Sequence, residues 1–404
     1  MAHKLFVAAV VVALLVSMMI PHCVTKNFTS CVGKIYAPNH GSRIACLMEA
    51  CGFSHDVDAA QTRATLAFGP IIGVRSLSQV GSDLATIVRD GLTRRRFQLG
   101  LSTFGMFQPS LSIPAYLGYA PTDRRLRVFN HFDTVGASAH FSQRVSRDTC
   151  RDYKGSRNCY DEHDGTDFVC PIGTKLVAAA PGIVVMIRDN WLRGGLTIAV
   201  DHDNGIVTQY THCSASLVSV GDAVLRGEAV AISGVAGIDM LSGFPWVPPH
   251  VHFMVFADGV PVDPFGGGVE ACTRVRWWAG DEGRGDRCPC TTARPLPGDP
   301  PRSALRPSPV DADAARALAS RVRSGTTVGT EIAVVLRSNG GDFGDPFLAH
   351  LLEEIQHHER WAVDGLQRPG SGSLVSVRGA EGGLAPVDLT LPLPATTYDG
   401  VRVG

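Results

Sequence analysis

Residues 176–211, LVAAAPGIVVMIRDNWLRGGLTIAVDHDNGIVTQYT, decide the fold class. Short runs rich in Val and Ile (Leu176 to Ala179, Ile183 to Ile187, Leu196 to Val200, Ile206 to Thr211) alternate with turns of Pro, Gly, Asn and Asp. Branched side chains suit a pleated, half-buried surface, and turns at this spacing fold consecutive strands back on one another. Two further runs, Ala229 to Ser233 and Val251 to Phe256, continue the pattern. The elements are too short and too Gly-interrupted for a β/α repeat. The expectation is a mainly β domain, an antiparallel sheet or sandwich over 146–290, with mixed α+β flanking regions.

Outward from that block the chain is less regular. Residues 24–145 form an N-terminal region of unknown role. Asp56 to Leu66 reads as a helix, and in Leu77 to Leu92 the spacing of Val80, Leu84, Ile87 and Val88 puts one apolar face on a second. Residues 100–121, GLSTFGMFQPSLSIPAYLGYAP, are too rich in Gly and Pro for a helix interior. On the other side, six prolines in the sixteen residues 294–309 mark a semi-rigid linker over 291–309. Residues 310–404 read as a small α+β module. It has helices at Ala312 to Val322 and Pro346 to Ala362, the second carrying a stripe of Leu348, Leu351, Leu352 and Ile355, and a strand-like VDLTLPLP near its end.

Composition limits the function classes. With 37 Lys and Arg against 38 Asp and Glu, the chain lacks the excess cations that nucleic-acid affinity rests on. Its 45% apolar residues exclude charge-rich disorder and allow a sizeable core. Leu5 to Ile20 is a 16-residue apolar run behind Lys4, short for a membrane span and suited to a secretory signal. Residues 1–23 are therefore a signal peptide or an N-terminal anchor, which is the chain's one route to a membrane. Ten cysteines follow Cys23, an even number that favours disulfides in an exported chain, with Cys150 and Cys159 able to staple the loop before the chemistry.

Four of the fourteen histidines, with one aspartate, form the chemical constellation. HDGTD places His163 and Asp167 four apart around a glycine, YTH ends a strand at His212, and HVH sets His250 and His252 two apart. Residues i and i+2 of a strand project from one face, so both imidazoles of the last pair can reach one point. A catalytic zinc takes three protein ligands and leaves a fourth position open, and two histidines with one carboxylate supply that set.

In this order the motifs resemble the LytM/lysostaphin-type metallopeptidases, the M23 peptidase family. The likeness runs from Asp161 to Phe265 through HDGTD, GTKLVAAAPGIVV, AVDHDNGIVTQYTH, VSVGDAVLRGEAVAISG, HVH and PVDPF. It implies one zinc per chain held by His163, Asp167 and His252, with His212 and His250 as the catalytic histidines beside it. Two departures bear on substrate preference: the long segment IDMLSGFPWVPP between Gly237 and His250, and Met254 after the second His of HVH. The long segment reads either as a stiff aromatic rim of the substrate groove around Trp246 or as a loop folded back over an apolar edge.

The implied function is an exported zinc endopeptidase that cuts peptide cross-links of peptidoglycan, in the periplasm or outside the cell. The alternatives are a zinc peptidase acting on Gly-rich proteins and a silent LytM-like module that binds or activates a cell-wall hydrolase. Other clusters have plainer readings. His350, Glu354, His357 and His358 form the polar face of a helix, Cys46, Cys51 and His55 fit disulfide chemistry better than a metal knuckle, and His202 is a turn residue. Alternation turns Cys213 away from His212, into a disulfide or a packed thiol. Asn27 begins a glycosylation sequon.

Overall fold

The structure, a computed structural model, describes residues 40–81, 83–85, 108–132, 163, 165–189, 191, 194–202, 206–219, 221–257, 260–265, 275–278, 290–292, 294–305 and 387–402. The apolar run at 5–20, the sequon, Cys150, Cys159, the helices expected at 312–322 and 346–362 and the histidines at 350–358 lie outside them. In chain order the elements are α1 (His40–Ala50), β1 (Phe53–His55), α2 (Val57–Ala64), α3 (Phe68–Ile71), α4 (Pro109–Tyr116), β2 (Tyr119–Pro121), β3 (Arg125–Asn130), β4 (Thr166–Val169), β5 (Lys175–Val177), β6 (Gly182–Arg188), β7 (Leu196–Asp201), β8 (Ile206–Ser216), β9 (Ala223–Val224) and β10 (Ala229–Ser233). They continue as α5 (Ile238–Gly243), β11 (His250–Ala257), β12 (Val260–Pro261), β13 (Val275–Trp277), β14 (Val387–Leu389) and β15 (Gly400–Arg402).

The protein is mainly β, as the Val/Ile runs require. One sheet runs β15-β3-β4-β11-β8-β7-β6-β9, with β10 bridging β5 and β8, and β12 pairing β11. Every pair in it is antiparallel except β15 with β3. Alternation sorts each strand between two environments. Phe168 of β4, Tyr210 of β8 and Val251, Phe253 and Val255 of β11 enter the main core with Leu176, Ile198 and Leu126. The neighbours of these residues in sequence, Asp167, His250 and His252, project from the opposite face. Cys170 and Cys213 are buried free thiols of the same core, so Cys213 is a packed thiol.

Both flanks join this sheet, beyond the limits of 146–290 drawn from sequence. β3 pairs with β4, and β15, from the last residues described, pairs with β3. Leu389, Leu391, Leu393 and Tyr398 are completely buried in the main core. The Pro-rich segment is pinned rather than free. The buried Arg226 donates to both carboxylate oxygens of Asp299, at 2.8 and 2.7 Å, and to the carbonyls of Ala179 and Asp388, at 2.6 and 2.7 Å. A buried cation is tolerated only with such complete pairing, and this one ties linker and C-terminal segment to the sheet.

The N-terminal region is helical where its sequence has caps and periodicity. The Asp56 carboxylate accepts from Ala59 N at 3.0 Å and starts α2. Residues 77–81 and 83–85 are helical too; Leu84 is exposed there, Val80 is half-buried, and Ile87 and Val88 of the expected face lie outside the described residues. The Gly/Pro-rich stretch contradicts its reading, since α4 occupies its middle with Pro109 in the first turn and Pro114 inside. Pro is tolerated in a first turn, where the backbone N–H has no helical acceptor. Burial of Ser112, Pro114 and Ala115 holds the rest of this short helix.

Two predictions follow from these contacts. Ending the chain at residue 386 removes four fully buried large side chains, roughly 6–12 kcal/mol of burial at about 1.5–3 kcal/mol each. That rivals a whole domain's stability, so the truncated chain should lack a cooperative thermal transition. Burial pushes His202 down to about 4, with its ring bonded to Pro181 O and the Thr208 hydroxyl. A depressed histidine contributes stability above its unfolded value near 6.5 and loses it as pH falls toward 4, here roughly 3 kcal/mol. The unfolding free-energy advantage of the wild type over His202→Gln should shrink by about that amount between pH 7 and pH 4 in urea titrations. A pH-independent difference would refute the linkage.

Candidate functional site

Asp167 lies in the middle of β4, opposite His252 of β11 in register, and His250 stands opposite Val169. His252 is also the partner of Thr211 in β8, so His212 follows one residue along. A register shift in the β7–β8 pairing falls at this point, and His212 has φ of 62°. A non-glycine residue in the left-handed region is uncommon and is held there only by its surroundings. Here the His212 N–H donates to Gly194 O at 2.8 Å.

The five residues singled out from sequence converge. His163 Nε2 is 3.2 Å from Asp167 Oδ2, His252 Nδ1 is 2.8 Å from Asp167 Oδ1, and His250 Nε2 is 3.5 Å from the same oxygen. The rings of His212 and His250 stand 4.9 Å apart, near perpendicular, and His212 is 6.2 Å from His252. All five residues are buried. Burial opposes ionisation of Asp167, but the charges of His163 and His250 and hydrogen bonds from His163 and His252 outweigh it and hold the carboxyl well below its usual range. For His250 burial dominates and pushes the ring down against the pull of Asp167.

One ligand atom each from His163, Asp167 and His252 lies within 4.8 Å of the others, which suits a single small cation. Two imidazoles and one carboxylate form a donor set that zinc accepts. The outer partners fit as well: His163 Nδ1–H donates to the His131 carbonyl at 2.8 Å, which leaves Nε2 for the cation. Gly165, inside HDGTD, has a steric cause. A Cβ there would stand 2.7 Å from Phe253 O and 2.8 Å from His252 Cε1.

Backbone carbonyls orient the other two histidines. His212 Nδ1–H donates to Ala236 O at 2.9 Å, and His250 Nδ1–H to Pro248 O at 2.7 Å. These acceptors stand at the two ends of the long segment expected to be either a rim or a cover. It forms α5 and a turn, and buries Met240 and Val247 with Ala115 of α4 and Phe129 of β3. Ser112 Oγ donates to Pro245 O, and Gln108 N–H to Trp246 O at 3.0 Å. Phe244 is 57% exposed and packs edge-on against Tyr116. The segment thus rests on α4 and on the β3–β4 part of the sheet.

Sequence reading missed His131, Ala236 and Pro248 because they act through carbonyl oxygens, which every residue type carries. It also missed Phe129, whose ring lies 5.4 Å from that of His250. The hydrophobic pattern of Arg125–Asn130, with its alternating burial, was the available signal.

Residues 161–264 match the family model described as Peptidase family M23. Over 113 residues the chain is 34% identical to the peptidoglycan DD-endopeptidase ShyA of Vibrio cholerae, covering 28% of this chain and 24% of that one. Over 104 residues it is 31% identical to the DD-carboxypeptidase/endopeptidase Mpg of Neisseria meningitidis, covering 25% and 22%. Among solved structures, the catalytic domain of lysostaphin from Staphylococcus simulans aligns at 31% identity and a TM-score of 0.22, over 26% of this chain and 76% of that one. The chain spans about a quarter of the length of these curated relatives. The match places the M23 likeness on the segment that carries all five site residues.

Gly165→Ala should move Phe253 or the His252 ring by several tenths of an ångström. Affinity for a divalent metal ion, measured by competition with a chromogenic chelator, should fall at least tenfold, while the far-UV spectrum is kept. Unchanged affinity would show that the close approach is not needed.

Proposed function

We propose that the chain is an exported zinc-dependent endopeptidase that hydrolyses peptide cross-links of peptidoglycan. The observation that carries the reading is the joint burial of His163, Asp167 and His252 around one point, with His212 and His250 beside it. The peptidase match over 161–264 and relatives named as peptidoglycan DD-endopeptidases support the substrate class. Export is supported by the apolar run at 5–20 and by relatives named as peptidoglycan endopeptidases. Among the described residues no helix is long and apolar enough to cross a membrane.

His163, Asp167 and His252 would hold the zinc. When bound, the metal supplies a Lewis acid for the scissile carbonyl and an activated nucleophile. His212 and His250 both have Nδ1–H committed to a carbonyl, so in the neutral ring Nε2 carries the lone pair. That form can take a proton from the attacking water, and the resulting imidazolium can donate one; such help is worth ~10²–10⁴-fold.

The test combines metal analysis with digestion of purified sacculi. The full chain should release peptides with new amine ends, and a chelator should stop it. Asp167→Ala should lose zinc and activity together, whereas His212→Ala should keep most of its zinc while turnover falls by roughly 10²-fold or more. Near-full zinc in Asp167→Ala, or near-wild-type turnover in His212→Ala, would overturn the assigned roles. Intact sacculi with bound protein would favour the silent module, and cleavage of Gly-rich proteins alone would favour the other peptidase reading.

A further inference from the structure

β3 brings three consecutive residues to the cluster. The ring of Phe129 lies against His250, and the His131 carbonyl holds His163. Between them, Asn130 is the register partner of Asp167. The register shifts between Val128 and Asn130, the signature of a bulge, a device that re-aims side chains. Val128 pairs with Phe168 and enters the main core, while Asn130, one residue past the bulge, shares the face of Asp167, because paired residues of antiparallel strands project to the same side.

The Asn130 side chain is 99% buried, at 1% exposure, and its Nδ2 has no hydrogen-bond partner. Leaving an amide donor unpaired in the interior costs about 1–3 kcal/mol, and buried polar groups without partners are rare. A packing role would be better served by an apolar residue of the same size. An unpartnered donor on the face of Asp167 is what a substrate oxygen entering the site requires.

We propose that Asn130 is a further catalytic residue, whose Nδ2–H donates to the carbonyl oxygen of the scissile peptide. This rests on the peptidase reading. In that reaction water oxygen bonds to the carbonyl carbon, and the π pair moves onto the carbonyl oxygen. The pair then returns as the C–N bond breaks, and the amine leaves with the proton that water gave up. Negative charge collects on the oxygen facing Asn130, so a neutral donor there strengthens as the charge grows and needs no change of protonation. Removal of one such donor typically costs ~10²–10³ in kcat.

The experiment uses the zinc-loaded full chain. Asn130→Ala should retain one zinc per chain and a KM within about threefold, while kcat falls roughly 10²-fold. Its Tm should be equal to or above that of the wild type, since an unpaired buried amide has been removed. A merely structural asparagine would instead lower Tm and spare kcat, and that outcome overturns the proposal. Loss of zinc from Asn130→Ala would make the residue a metal ligand and also overturns it. A readout without turnover separates this proposal from the peptidase reading. On titration with a phosphinic peptide, which imitates the tetrahedral oxyanion, the Asn130 side-chain amide resonance should shift, and the affinity of Asn130→Ala should fall at least tenfold. If the wild type cleaves no peptide, the peptidase reading fails, and an unmoved resonance with unchanged phosphinate affinity overturns the role of Asn130 by itself.

Discussion

A carboxylate removed from water must be met by positive charge or hydrogen-bond donors, and the burial of Asp167 imposes that condition on everything around it. Its oxygens face the imidazole nitrogens of His163, His250 and His252. Those rings reach it because β4 and β11 are antiparallel in one register, which puts Asp167 directly opposite His252. A slip of one residue would send His250 and His252 into the core and bring Val251 and Phe253 out. The apolar alternation of β11 and the chemistry of the site therefore enforce the same register.

Around that centre the control passes to backbone oxygens. His131 O, Ala236 O and Pro248 O each accept one Nδ1–H, from His163, His212 and His250 respectively. A ring whose Nδ1 is so engaged has its tautomer and its orientation set together. Two of these carbonyls belong to the ends of the segment from Ala236 to Pro248, and that segment is bonded to α4 through Ser112 and Gln108. The N-terminal helices thus reach the histidines through one loop. The exposed Phe244 and the carbonyl that positions His250 therefore belong to one segment.

Charge pairing performs the corresponding task for the rest of the chain. Arg226 gathers Asp299 and the Asp388 carbonyl against the Ala179 carbonyl, while β15 closes on β3 in parallel. β3 in turn carries Phe129, Asn130 and His131 to the cluster. The C-terminal strand and the first strand of the sheet are therefore neighbours of the site's supporting layer, although His131 and Tyr398 stand 267 positions apart in the chain.

The sequence by itself determined the β class and most of the strands from 175 to 257, and it singled out the five residues that the fold brings together, because alternation and turn chemistry are local and because imidazole and carboxylate are distinctive side chains. The helix read from Asp56 onward was legible from its local pattern as well. Tertiary structure alone decided the rest. α4 forms in spite of its prolines because burial outweighs propensity, and 387–402 completes a core begun far away. The loop between Gly237 and His250 faces α4, and Asn130 faces Asp167, through pairings across long stretches of chain. Long-range register and carbonyl acceptors have no signature in residue type, since every residue has the same backbone, and only the folded sheet determines which carbonyl meets which ring.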